Sequence, residues 1–459
     1  MQPTRSLTEG SISVRMLQLA LPTLYASILQ ALNASVNSFW VGHYLGESAL
    51  TAVSNANTVL FLLIGAAFGI AMAATILVGQ SIGAGDLHEA KRVVGTGATF
   101  FFIVSVGVAA IGLILCRPLL IAMQTPADAL PLAIPYMRVF FFALPCFYTY
   151  AFVIGVLRGA GDAQTPFYFL LLAIGLDIAL NPLFMFGVGP VPKLGIAGSA
   201  AASFVAQATS LAALIRYLYR RHHMLCLRPE ELKLLRVDRS ITATLLKMGI
   251  PMGAQPLVFS LSGVLMIALV NRFGVETTAA FGAALQVWNY LAMPAYAINM
   301  VASSMAAQNV GACKWDRVQS IARAGVVYSL LLTGAGVLVI EVLSPCAFGL
   351  FLPADSQALP IAAHLDRIVV GSFLFQAAAM ALFGVVVAVG EVVAPVVILA
   401  VSLLVVRFPL AEVLLAYYHE DAIWWSFPTS SALAAVLAAL YYKHGRWRGA
   451  HMLAHLKLR

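Results

Sequence analysis

Charge is what this chain has least of. Only 10% of its 459 residues are Asp, Glu, Lys or Arg, while 61% are hydrophobic; a soluble domain carries roughly 25% charged residues. So few charges cannot clothe a chain of this length for water, which excludes an ordinary soluble fold. Cysteine is scarce too: there are five, an odd number with no C-x-x-C spacing, so neither a disulfide framework nor a thiolate metal site is indicated. The nine histidines do not combine with Cys or carboxylates at metal-ligand spacing. G-x-x-x-x-G-K-[ST], G-x-S-x-G and H-E-x-x-H are absent, which removes the phosphate cradle and the common hydrolytic centres. The chain is therefore not read as an enzyme, and no cofactor is expected. Sustained period-2 alternation with short turns is missing, which argues against an outer-membrane barrel. Residues 1–10 are short and polar, and the first apolar run is too long for a cleavable leader.

What is present is a series of long apolar runs. Twelve are long enough to cross a bilayer: 15–40, 50–77, 94–116, 131–157, 165–187, 194–217, 243–270, 278–301, 322–345, 359–387, 393–416 and 421–442. This is an all-α polytopic membrane protein. Of 27 Lys and Arg, 21 lie in the termini and the even-numbered connections, whereas Arg117, Lys193 and Arg272 are the three in the odd-numbered ones. The positive-inside rule then puts both termini in the cytoplasm of an inner (plasma) membrane protein. It also accounts for the net charge of +8 without a nucleic-acid partner. The connections at 80–93 and 308–322 mix polar and apolar residues, as in short amphipathic helices at the interface or plain loops.

The chain also repeats itself. Gln80, Gly83 and Ala84 answer Gln308, Gly311 and Ala312, and Gly46 answers Gly274, all at one constant offset. Pro22 answers Pro251, Arg138 answers Arg367, Gly161 answers Gly390 and Pro166 answers Pro395, each a single position further on. With six spans per copy, the two repeats run parallel in the membrane, a common plan for a secondary transporter. The expected organisation is an N-terminal lobe at 1–217, a basic cytoplasmic linker at 218–242, a C-terminal lobe at 243–442 and a basic tail at 443–459.

An ionisable residue inside a span is costly and is a functional candidate by default. Glu341, Asp366 and Glu412 fall near outer ends, where snorkelling or a neighbour such as Arg367 can satisfy them. Asp177 is different: it lies about 12 residues into its span, roughly 18 Å deep. Asn181 follows at i+4 on the same face, and Pro182 frees a backbone carbonyl. A carboxylate, an amide and a carbonyl together suit Na⁺ coordination or a protonatable site. Asn33 and Asn37 form another i, i+4 pair in the first span, in a helix that Pro22 could kink. Gln286, Asn289, Tyr296 and Asn299 in the eighth span are candidates to line a cavity for flat or cationic ligands.

Several short motifs resemble the MATE (multidrug and toxic compound extrusion) family of the wider flippase superfamily. They are Trp40-Val41-Gly42, Val78-Gly79-Gln80, Arg158-Gly159-Ala160-Gly161-Asp162 with Thr165-Pro166, Asn181-Pro182-Leu183-Phe184, Gly195-Ile196-Ala197-Gly198-Ser199-Ala200 and Arg407-Phe408-Pro409-Leu410. The resemblance implies twelve helices in two six-helix lobes around a central cleft. It implies outward antiport of organic, often cationic, compounds against inward H⁺ or Na⁺. One branch of the family couples through an Asp in the first helix, an N-x-x-x-D pair in the fifth and a Thr in the sixth. Here those positions hold Asn37, the transposed pair Asp177 and Asn181, and Ser203. The acid that another branch carries in the seventh helix is lacking in 251–259. The expected partners are small organic substrates and the lipid bilayer, with the protein a monomer. A flippase for lipid-linked substrates is the alternative, and a non-transporting receptor a weaker one.

Overall fold

The computed structural model describes residues 7–187, 192–353 and 355–449. Arg5, Lys457 and Arg459 of the charge asymmetry, and the basic tail from 450 on, lie outside these residues. The described part is helical, with no strand. In the first half the helices are α1 (Ile12–Leu45), α2 (Glu47–Gly83), α3 (Leu87–Ala122), α4 (Leu130–Gly159), α5 (Gln164–Phe186) and α6 (Ile196–Arg220). In the second they are α7 (Arg239–Val270), α8 (Val275–Gly311), α9 (Trp315–Gly349), α10 (Ala358–Val369), α11 (Ser372–Val389), α12 (Val393–Ala400), α13 (Arg407–Tyr418) and α14 (Asp421–His444). A π-helical stretch, Val401–Val406, joins α12 to α13. Among the described residues eleven helical spans are long and apolar enough to cross a membrane. The α8 helix is not among them, although it has 37 residues; Gln286, Asn289, Asn299 and Pro294 are spaced along it. The segment expected at 359–387 is two helices, α10 and α11, parted at Val370 and Gly371.

The connections at 80–93 and 308–322 are neither interfacial helices nor loops. Instead α2 and α8 run on to Gly83 and Gly311, and each turns within three residues into the next helix. Gly85 (φ 75°) and Cys313 (φ 58°) make those turns at matching positions of the two repeats, and Asp86 caps α3 by accepting the Glu89 N–H at 3.0 Å. The repeat is thus written into the backbone. Gly46 (φ 86°) and Gly274 (φ 98°) precede α2 and α8, and Gly161 (φ 85°) and Gly390 (φ 112°) follow α4 and α11. These left-handed positions suit glycine, which has no Cβ to clash.

The chain forms two compact units, one of residues 25–250 and one of residues 7–24 with 251–449. Each repeats the other's plan. In the first, α4 packs on α2, α3 and α6, and α5 packs on α6; in the second, α11 packs on α8, α9 and α14, and α13 packs on α14. Gly155 of α4 and Gly384 of α11 permit close crossings at matching positions of the two repeats. A Cβ on Gly155 would meet the Ala71 carbonyl at 2.8 Å, and one on Gly384 would strike the Asn299 carbonyl. The α1 and α7 helices each belong to both units, passing from one to the other at Leu24/Tyr25 and Ile250/Pro251. Among the described residues neither packs along another helix over a long stretch, although α7 touches α2 where Gly249 meets the Ile70 backbone.

Each of these two helices is led in by a strap. Before α7, the 3₁₀ turn Pro229–Leu235 lies on α3. Lys91 pairs with Glu231 at 2.7 Å, Arg92 with Asp238 at 2.6 Å, and Thr99 donates to the Leu235 carbonyl at 2.7 Å. Much of the basic connection is therefore docked rather than free in solvent. Before α1, residues 7–10 lie on the second unit. The Leu7 N–H donates to Gln308 Oε1, Asn309 Nδ2 to the Leu7 carbonyl, and Arg317 to the Gly10 carbonyl, each at 3.1 Å.

Candidate functional site

The site is built from three i, i+4 polar pairs on three helices. The α5 helix starts where Asp162 Oδ1 accepts the N–H groups of Gln164 (3.1 Å) and Thr165 (2.9 Å), and Pro166 sits in its first turn. From that start Asp177 stands 13 residues along, roughly 20 Å at 1.5 Å per residue, with Asn181 one turn further. The α1 helix presents Asn33 and Asn37 at the same spacing, and α6 presents Ser199 and Ser203. Gly198 lets the start of α6 approach α5 closely, since a Cβ there would strike the Phe184 carbonyl.

These pairs converge on Asp177. Asn33 Nδ2 donates to Asp177 Oδ2 at 2.7 Å and Asn37 Nδ2 to the same oxygen at 2.9 Å. Ser203 Oγ donates to Asp177 Oδ1 at 2.9 Å. Behind the carboxylate, Asn181 Nδ2 donates to Asn37 Oδ1 (2.7 Å) and to Ser199 Oγ (3.2 Å). Asp177 is only 4% exposed and Asn181 fully buried. Three donors thus surround one carboxylate, and no Lys or Arg pairs with Asp177 among the described residues. The Asn33 and Asn181 side-chain oxygens are buried without a donor, and a buried orphan acceptor is costly. Asn33, Asn37, Asp177, Asn181 and Ser203 thus stand together. Ser199 was not among the residues expected; its signal was the i, i+4 spacing to Ser203.

The residues expected in α8 belong to the other unit and do not form a comparable cluster. Gln286, Asn289 and Tyr296 are exposed and share one face, with the Tyr296 ring edge-on to Phe259 at 6.1 Å. Asn299 instead donates to the Met380 carbonyl at 2.6 Å, tying α8 to α11. Pro22 lies inside a continuous α1, two residues before the helix passes between units. Asp366 is not satisfied by Arg367, which is exposed; Trp288 Nε1 donates to it at 2.8 Å. Trp288 faces it across the α8–α10 contact, whereas the next residue in a helix points away. Glu412 meets Arg272 at 3.5 Å, both half-exposed, and Glu341 is exposed.

Comparison with known proteins finds the MatE family model matching twice, over residues 22–183 and 251–413. The two matches begin at the Pro22/Pro251 pair, in register with the repeat. The chain is 33% identical to the "Probable multidrug resistance protein YoeA" of Bacillus subtilis (strain 168) over 442 residues, 96% of this chain and 95% of that one. It is 26% identical to a protein named "FAD transporter" of Shewanella oneidensis over 362 residues, 79% of this chain and 76% of that one. Among solved structures, an outward-facing MATE transporter of the MOP superfamily superposes with a TM-score of 0.89 at 20% identity, over 100% of this chain and 99% of that one.

Proposed function

The chain belongs to the MATE family of membrane transporters, which are not enzymes, and from that premise we propose that it is a secondary active antiporter. It exports small organic compounds in exchange for H⁺ or Na⁺, by alternating access of its two lobes. It sits in the inner membrane with both termini cytoplasmic. The observation that carries the coupling role is the Asp177 cluster: one buried carboxylate held by amides and a hydroxyl alone. Incoming cations neutralise Asp177. A proton on the carboxyl can be donated to an amide oxygen, and Na⁺ can be ligated by the carboxylate with the orphan oxygens of Asn33 and Asn181. Either event weakens the pull of Asp177 on the Asn33 and Asn37 amides. Because α1 packs closely along no other helix, those two bonds are a large part of what positions its outer half. Cation arrival is thus converted into movement of α1, with Pro22 as the place where the helix can bend.

The test is transport by the reconstituted protein. Liposomes receive an imposed H⁺ gradient, then a Na⁺ gradient, and movement of a fluorescent organic cation is followed for wild type and Asp177→Asn. Transport under one gradient, lost in the variant, identifies the ion and its site. A well-folded Asp177→Asn protein that still transports like wild type sinks the coupling role.

A further inference from the structure

The second unit holds a buried cation where the first holds its buried anion. At the offset that relates Pro166 to Pro395, Asp177 is answered by Val406, and Arg407 is the next residue. Arg407 opens α13, midway along the span Val393–Tyr418, and is only 8% exposed. The α13–α14 pair is the counterpart of α5–α6. Where Asp177 meets serines of α6, Arg407 meets serines of α14: Nε donates to Ser430 Oγ at 2.8 Å and Nη2 to Ser431 Oγ at 3.4 Å. Phe427 covers one face of the guanidinium, its ring centroid 4.3 Å from Cζ.

No carboxylate pairs with Arg407 among the described residues. A guanidinium has five N–H donors and stays charged, and among the described residues two of the five are engaged. A charge at mid-membrane depth without a counter-charge is expensive, and one aromatic face with two hydroxyls offsets little of that. A second observation points the same way. The π-helical stretch Val401–Val406 ends directly at Arg407, and such turns recur at functional sites. Within it the Ser402 hydroxyl is fully buried without a partner, and the Leu403 carbonyl is held by Ser262 of α7 at 3.3 Å.

We propose that Arg407, clamped by Ser430 and Ser431 and backed by Phe427, is a binding site for an oxyanion group of an organic substrate, a carboxylate or a phosphate. Phe427 occupies one face of the guanidinium and leaves N–H groups in its plane, the direction in which Arg forks onto oxyanions. The transported compounds then include zwitterionic and anionic amphiphiles as well as cations. The inference deepens the transport reading, but the binding it describes needs no gradient and no coupling.

The test compares a xanthene dye bearing a free carboxylate with its methyl ester, by fluorescence anisotropy on the purified full-length protein in detergent. The wild type binds the acid about tenfold or more tightly than the ester. Arg407→Gln removes that preference and leaves ester binding within about twofold, while Arg407→Lys retains part of it. Should Arg407→Gln fail to fold, the Ser430→Ala/Ser431→Ala pair, which unclamps the guanidinium, lowers acid binding selectively. Equal binding of acid and ester by wild type overturns the proposal. So does an unchanged acid-to-ester ratio in the variants, or binding of neither dye. An acid preference that survives while Asp177→Asn transports normally would sink the coupling role and leave this site standing.

Discussion

At the scale of single residues, the first unit gathers its polar groups around one carboxylate, and each neighbour has a separable part. Asn33 and Asn37 bind Asp177 from α1, whereas Ser203 binds it from α6. Asn37→Ala removes a donor to Asp177 and the acceptor of Asn181 together. It is expected to lower coupled transport by about tenfold or more, as loss of a bond to a buried charge does. Ser199→Ala touches only Asn181 and is expected to cost a few-fold, measured as initial rates in the same liposomes. Asp177 was legible in the sequence because a lone acid deep in an apolar run is rare. Ser199 was less so: its one signal was the i, i+4 spacing to Ser203, and only α5 set against α6 shows that Asn181 is its partner.

Among the elements, α1 and its mirror α7 are the least packed. Pro22 lies where α1 passes between units, and it breaks the backbone ladder there. Pro22→Ala restores that bond; a lower transport rate with unchanged melting temperature is the expected outcome. The strap at 229–238 is a second element with a measurable behaviour. The Arg228 backbone N–H and the Lys91 ammonium hold the Glu231 carboxyl below its ordinary value. Burial pushes Asp238 up, but Arg92 and the N–H groups of Ile241 and Ser240 outweigh it, so its pKa too is lowered. A depressed carboxylate contributes its stabilisation above the unfolded pKa and loses it as pH falls through the folded one. A spin label placed through Leu232→Cys should therefore stay immobile from neutral pH down to about pH 4 and gain mobility below. Lys91→Ala should mobilise it at neutral pH. The sequence read this stretch as a basic linker. Its docking depends on Glu231 and Asp238 meeting α3, a contact between residues 140 and 146 positions apart.

For the whole molecule, duplication is the governing fact. Gly155 and Gly384 answer each other in the two repeats and permit the same crossing in each unit. Adding a side chain at either should overpack it and cost about 1–3 kcal/mol. Gly155→Val and Gly384→Val are thus expected to lower the melting temperature in detergent by similar amounts, although they lie in different units. The sequence by itself determined the class of molecule, its internal duplication and which carboxylates fall within its apolar runs. Hydropathy, glycine conformation and the cost of burying charge are local properties that survive without a fold. Only the tertiary structure decided which helix faces meet. It set Asn33 and Asn37 on Asp177, gave Asp366 to Trp288 rather than to its neighbour Arg367, spent Asn299 on a helix crossing and set Arg407 on Ser430 with no carboxylate paired to it among the described residues. Those outcomes rest on which side chains far apart in sequence come within about 3 Å, and periodicity along one helix carries no information about the helix that comes to lie beside it.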